Sequence, residues 1–145
     1  MDLKPSSLLG FGLMIVGIVL LTRQHHLFAG SAPALVVQVL AIGLMVAARI
    51  TFGSRSFHAG ADPTAGGLVT SGPYSLLRHP IYAAVLYFVW AAALDSRSWS
   101  SGGAAALTTA GAAVRMFAEE QLLARKYPDY PAYRARTARV VPFVL

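Results

Sequence analysis

An all-helical bundle set in a membrane is the fold this sequence predicts, and three observations predict it. Apolar residues make up 56% of the 145-residue chain and charged residues only 12%, about half the charged share of an average soluble domain. Mean hydropathy is +0.57. The apolar residues gather into four runs, Leu8 to Leu21, Ala34 to Ile50, Ile81 to Leu94 and Ala104 to Phe117, each 14 to 17 residues long.

Flanking residues such as Ser6, Thr22, Pro33 and Gly102 extend these runs toward the roughly 17–25 residues of a spanning helix. A soluble bundle would show a polar stripe at helical spacing. The first run instead holds no charged residue, and Ala34 to Ala48 holds Gln38 as its one polar interruption. The first run lacks a convincing cleavage site and is followed by further apolar runs, so it reads as a retained span. Gly10, Gly12 and Gly17 in the first span, with Gly43 and Ala47 in the second, suit close helix approach in lipid. Short spans rich in small residues also suit self-association into a homo-oligomer.

The positive charges orient the chain. With four spans, one side holds Lys4, Arg49, Arg55, Arg78, Arg115, Arg125, Lys126, Arg134, Arg136 and Arg139, and the other holds Arg23 and Arg97. That distribution places both termini and the middle loop in the cytoplasm. The net charge of +6 is not laid out as a patch on a soluble fold, so the expected partner is membrane lipid rather than nucleic acid. Tyr87, Trp90 and Trp99 suit an interfacial belt on the opposite side.

Between the second and third runs, Gly53 to Gly67 reads as a cytoplasmic connector containing Asp62-Pro63. Asp95 to Gly103 reads as a short polar turn, which folds the third and fourth runs into a hairpin. Asp95 itself reads as a loop residue. The fourth helix is expected to leave the bilayer and end near Lys126 or Tyr127, because Tyr127 precedes Pro128. A short tail helix starts near Asp129 to Pro131, with Tyr130, Tyr133 and Thr137 on one face. The apolar end Val140-Val141-Pro142-Phe143 can fold back onto the membrane surface.

Several chemistries are excluded. The chain has no cysteine, and hence no disulfide, thiolate metal site or cysteine nucleophile. No Walker motif, Gly-rich phosphate fingerprint or zinc spacing is present, which rules out a soluble Rossmann-type domain. His25-His26 alone makes no metal site and His58 reads as solvated, so no metal is expected.

Two charged features remain. Ser71 to Tyr82 carries the turn signal Gly72-Pro73, the pair Arg78-His79, and Pro80 as an early residue of the third helix. At a membrane boundary such a pair is either an interfacial anchor or part of a site. Glu119-Glu120 ends the fourth run, where anions oppose the helix macrodipole. These acids either pair with Arg115 or the basic tail, or serve a function. The hairpin brings both features to one cytoplasmic mouth, under a tyrosine- and arginine-rich tail.

Val69-Thr70-Ser71-Gly72-Pro73-Tyr74 followed by Arg78-His79-Pro80-x-Tyr82 resembles the core motif of the isoprenylcysteine carboxyl methyltransferase and phospholipid N-methyltransferase superfamily. Glu119-Glu120-x-x-Leu123, the aromatics at 127, 130 and 133, and Arg139-Val140-Val141-Pro142 extend the likeness over roughly half the chain. The resemblance implies one membrane methyltransferase domain, with residues 1–52 as two packing spans and 68–145 as its catalytic core. It implies S-adenosyl-L-methionine as cofactor, cradled by Tyr74, Arg78, His79, Pro80, Tyr82, Glu119 and Glu120. Arg115 and Glu120 match a pair implicated in catalysis, and Tyr130, Tyr133 and Arg139 would meet the acceptor. That acceptor would be a lipid or other hydrophobic small molecule, such as an isoprenylcysteine-type carboxylate or a phospholipid amine. The reduced set of spans suits the inner membrane of a bacterium. The alternatives are an NADPH-dependent sterol or enone reductase and a non-catalytic membrane scaffold.

Overall fold

The structure is a computed structural model, and it describes residues 3–53 and 67–144. Arg55, His58 and Asp62-Pro63, and with them most of the expected connector, lie outside the described residues. Among the described residues the chain forms five α-helices: α1 (Leu3–Arg23), α2 (Ala32–Phe52), α3 (Pro80–Ser96), α4 (Trp99–Lys126) and α5 (Tyr130–Arg136). A 3-10 turn, Gly72–Ser75, precedes α3. This is the all-α membrane bundle the sequence predicts. Pro5–Arg23 and Ala32–Phe52 are long and apolar enough to cross a membrane, and Pro80–Ser96 is a shorter apolar helix.

Prolines and the residues before them set the helix ends. Pro80 opens α3, and steric conflict with its ring pushes His79 out of the helical region to φ −128°, ψ 59°. Pro128 acts in the same way on Tyr127, which ends α4 at φ −115°, ψ 113°. Gly72 takes φ 54°, and a Cβ there would stand 2.8 Å from Thr51 Oγ1 at the end of α2. Glycine is required at that turn by both its conformation and its neighbour.

Neighbouring helices run in the order α1, α4, α3, α2, with the longest contact between α1 and α4. Small residues permit that contact. A Cβ on Gly10 would lie 2.6 Å from the Gly111 carbonyl oxygen, and one on Gly111 would lie 2.8 Å from Met14 N. Gly17 is equally crowded by Thr108 and the Ala104 carbonyl, whereas Gly12 and Gly43 face open space. Leu8, Ile15, Val39 and Leu40 are exposed on the outside of α1 and α2, as lipid-facing side chains are.

The end of the bundle away from Glu119-Glu120 departs from the expected loop. The turn between α3 and α4 is confined to Arg97 and Ser98, with Arg97 in the left-handed region at φ 51°. Trp99 is therefore the first residue of α4, 97% exposed, rather than a loop residue. Asp95 also has a partner: its Oδ2 accepts from Gly30 N (2.6 Å) and Ser31 N (3.1 Å), and its Oδ1 from the Ser31 hydroxyl. The carboxylate thus satisfies N–H groups at the start of α2. His26 Nδ1 lies 2.8 Å from the buried Ser101 hydroxyl, which donates to Gln24 Oε1 at 2.9 Å. Gln38 is buried and bridges Ala29 N, the Leu27 carbonyl and the Phe88 carbonyl.

A methyl group at position 111 therefore has nowhere to go. Gly111→Ala is expected to destabilise the detergent-solubilised protein by about 1–3 kcal/mol, read as a lower unfolding temperature. Gly12→Ala should leave that temperature unchanged, and equal effects of the two changes would contradict the packing described.

Candidate functional site

Three chain segments build the charged cluster: the head of α3, the last turns of α4, and the strand-like tail after α5. Backbone contacts hold the first and third together. Arg78 N donates to the Ala138 carbonyl (2.7 Å), His79 N to the Arg139 carbonyl (3.1 Å), and Ala138 N to the Leu76 carbonyl (3.0 Å). Arg78 adds side-chain hydrogen bonds from Nη1 to the Arg134 carbonyl (3.0 Å) and to the Thr137 carbonyl. Arg78 and His79 thereby lie over α4 at the level of Glu119 and Glu120, just past Phe117, where the long apolar run of that helix ends.

Glu120 is the hub. It is 6% exposed and is contacted by Arg78 Nε (3.1 Å), His79 Nε2 (3.2 Å), Arg139 Nε (3.0 Å) and Arg139 Nη2 (2.9 Å). Burial alone would raise its pKa. Hydrogen bonds from His79, Arg139 and Arg78 outweigh burial and hold the carboxyl well below the usual carboxylate range. The same pairing raises the pKa of the Arg139 guanidinium.

Glu119 belongs to a second group, joined to the first through His79. Its Oε1 accepts from the Tyr82 hydroxyl and from Arg115 Nη2 at 3.3 Å, while Arg115 Nε donates to the Tyr82 oxygen at 2.5 Å. His79 Nδ1 stands 3.7 Å from Glu119 Oε2, so the imidazole has one nitrogen toward each carboxylate. The buried Arg115 guanidinium lies 5.2 Å from the Phe11 ring centroid and 5.7 Å from that of Tyr82. Such stacking suits a planar, weakly hydrated cation. Both pairings open to the acids in the sequence are thus present, Glu119 with Arg115 and Glu120 with the tail.

The remaining residues named from the sequence surround this cluster unequally. Pro80 sets the start of α3 and is fully buried. The Tyr74 ring packs 5.5 Å from Phe52, while its carbonyl accepts from the Tyr133 hydroxyl at 2.8 Å. Tyr133 thus holds the 3-10 turn in place. Arg139 is turned onto Glu120. Tyr130 is 1% exposed, and its hydroxyl has no hydrogen-bond partner among the described residues. Burial pushes the Tyr130 phenol up to about 12 and raises that of Tyr133 as well, so both stay neutral at physiological pH.

Two contributors escaped the sequence reading. Phe11 brings α1 to Arg115, and an aromatic residue in an apolar run gives no signal of such a contact. Tyr87, expected in an interfacial belt, donates its hydroxyl to the Val140 carbonyl and ties the tail to α3.

The sequence model of the family described as phospholipid methyltransferase matches residues 31–130. The nickel-cobalt-cadmium resistance protein NccN of Alcaligenes xylosoxydans xylosoxydans is 38% identical over 78 residues, which is 52% of this chain and 36% of that protein. The chain thus matches about a third of the length of that curated relative. No solved structure matches.

Removing the hub would leave three cationic or hydrogen-bonding partners, His79 buried and Arg78 and Arg139 partly so, without their anion. Glu120→Ala is expected to cost about 3–5 kcal/mol in thermal unfolding, with a smaller loss for Arg139→Ala at the more exposed edge. Because folding lowers the Glu120 pKa, its contribution is full above the ordinary value of 4.5 and is lost as pH falls through the lower folded value. An unfolding temperature untouched by Glu120→Ala would contradict this.

Proposed function

The chain belongs to the phospholipid methyltransferase family, and from that premise we propose that it is an S-adenosyl-L-methionine-dependent methyltransferase acting on a hydrophobic or lipid-borne acceptor at the cytoplasmic membrane face. The observation that carries the proposal is the meeting of Arg78 and His79, at the head of α3, with Glu119 and Glu120 on α4.

The donor set fits the cofactor's chemistry. Carboxylates suit its amino group and ribose hydroxyls, guanidinium and imidazole groups suit its carboxylate, and the buried Tyr130 hydroxyl is an additional polar atom without a partner among the described residues. When bound, S-adenosyl-L-methionine supplies an electrophilic methyl group on a sulfonium. In this reading Tyr74, Arg78, His79, Pro80, Tyr82, Glu119 and Glu120 form its cradle. Tyr130, Tyr133 and Arg139 border the acceptor, Tyr133 chiefly by fixing the turn at residues 72–75.

The protein's own contribution is positioning and exclusion of water, since displacement at a sulfonium needs little other help. Arg115, fixed by Tyr82, Glu119 and the Phe11 ring, would orient the acceptor. Glu120, held anionic by its partners, is a weak base. That favours an acceptor arriving already ionised, such as a carboxylate, over an amine that must pass a proton to Glu120. A reductase would need further basic contacts for the extra phosphate of NADPH, and the family match supports methyl transfer instead.

S-Adenosylhomocysteine should raise the unfolding temperature and NADPH should not; the reverse pattern would reject the assignment. Arg115→Lys keeps the charge and loses the fork. It is expected to cut transfer of labelled methyl groups into a total lipid extract by about tenfold or more, with S-adenosylhomocysteine affinity within about twofold. Wild-type transfer by that variant would remove Arg115 from the mechanism.

We also propose that the cluster faces the cytoplasm of a bacterial cell, on the ten-to-two division of basic residues. The chain contains no cysteine, so single cysteines report orientation cleanly. On intact cells a membrane-impermeant maleimide should label Trp99→Cys and spare Asp129→Cys, and the opposite labelling would invert the topology.

A further inference from the structure

The tail beyond the charged cluster has a surface that the proposed chemistry does not use. Leu76, Arg136, Pro142, Phe143 and Val144 line one shallow groove of about 260 Å³ beside α5. Its apolar members are unusually open: Leu76 is 52% exposed, Phe143 91% and Val144 74%. Phe143 is held in the left-handed region at φ 65°, a conformation that bulky residues rarely adopt. Arg136 lines the groove itself, and in the chain leading to it Arg125, Lys126 and Arg134 are exposed basic residues, with Asp129 the exposed acid of the same segment.

The depth of the tail says what this surface meets. Tyr87 lies about 10 Å along α3 from Pro80, by helical rise. Its hydroxyl pins the Val140 carbonyl, and the Val140 side chain packs on the cluster of Met14, Leu86, Ala112 and Met116. Val140 is therefore anchored beside the apolar body of α3, and the exposed residues just after it leave from that level. Exposed apolar side chains at that level, rimmed by arginine, match the boundary between acyl chains and headgroups.

We propose that α5 and residues 138–144 form a foot that docks on anionic phospholipid headgroups, with Leu76, Phe143 and Val144 entering the acyl boundary and Arg136 meeting lipid phosphate. The inference rests on the membrane fold and is independent of methyl transfer. A negatively charged leaflet attracts basic residues near its surface, and salt weakens that attraction.

The test uses the full chain carrying Phe143→Trp, reconstituted in vesicles with a fixed share of brominated acyl chains. The bromines are carried either on phosphatidylglycerol or on phosphatidylcholine, and the parent protein's tryptophan emission is subtracted. Quenching of the added indole should be at least about twofold stronger from brominated phosphatidylglycerol at low salt. That preference should disappear with Arg136→Glu. Val144→Trp serves as a second probe should the first variant not fold. Equal quenching by the two lipids, or a preference that survives Arg136→Glu, overturns the proposal. So does absence of quenching by either lipid, which would leave the surface in water. A protein inactive in methyl transfer would leave all these readouts intact.

Discussion

A carboxylate that is almost wholly buried must be matched by cations and hydrogen-bond donors, and Glu120 draws its matches from two segments besides its own helix. Arg78 and His79 come from the head of α3, and Arg139 from the tail. Because the cost of leaving such a group unpaired is several kcal/mol, these segments are not free to separate. The short parallel bridge between Leu77 and Ala138 has the same effect in the backbone. The head of α3 and the fold-back of the tail are thereby held against α4 around this one anion.

The surrounding bundle makes that arrangement possible by keeping charge away from lipid. In hydrocarbon there is little hydrophobic gain from bringing two apolar helices together, so close contact and polar pairing must hold them. Gly10, Gly17 and Gly111 allow α1 to lie directly on α4, and this carries Phe11 to the guanidinium of Arg115. Arg115 can then remain buried inside the bundle, with ring faces and Glu119 taking the place of water.

The helices were legible because apolar run length and proline position are local properties. Pro80 and Pro128 mark the start of α3 and the end of α4 to the residue. The charged cluster was legible as well, since four ionisable residues at the ends of two apolar runs have few places to go once those runs form a hairpin. What escaped depended on distance along the chain. Asp95 looked like a loop residue because its partner Ser31 is 64 residues away. Tyr87 looked like a belt residue because the carbonyl it binds belongs to a tail whose path no local pattern reveals. Tyr133 shared a face with Tyr130, but only the fold shows that its hydroxyl holds the turn.

The polar contacts at the opposite end bear on the cluster through leverage. Helix α3 has 17 residues, a length of about 25 Å. A tilt of about 5° pivoting at one end would displace the other by about 2 Å, enough to break hydrogen bonds of ordinary length. His79 precedes one end of this lever and Asp95 lies at the other. By joining Asp95 to Gly30 and Ser31, the fold fixes α3 against α2. Through His26, Ser101 and Gln24 it fixes the start of α4 against the loop after α1. The position of the imidazole between its two carboxylates is thus set partly by hydrogen bonds at the far end of the bundle, made by residues with no chemical part of their own.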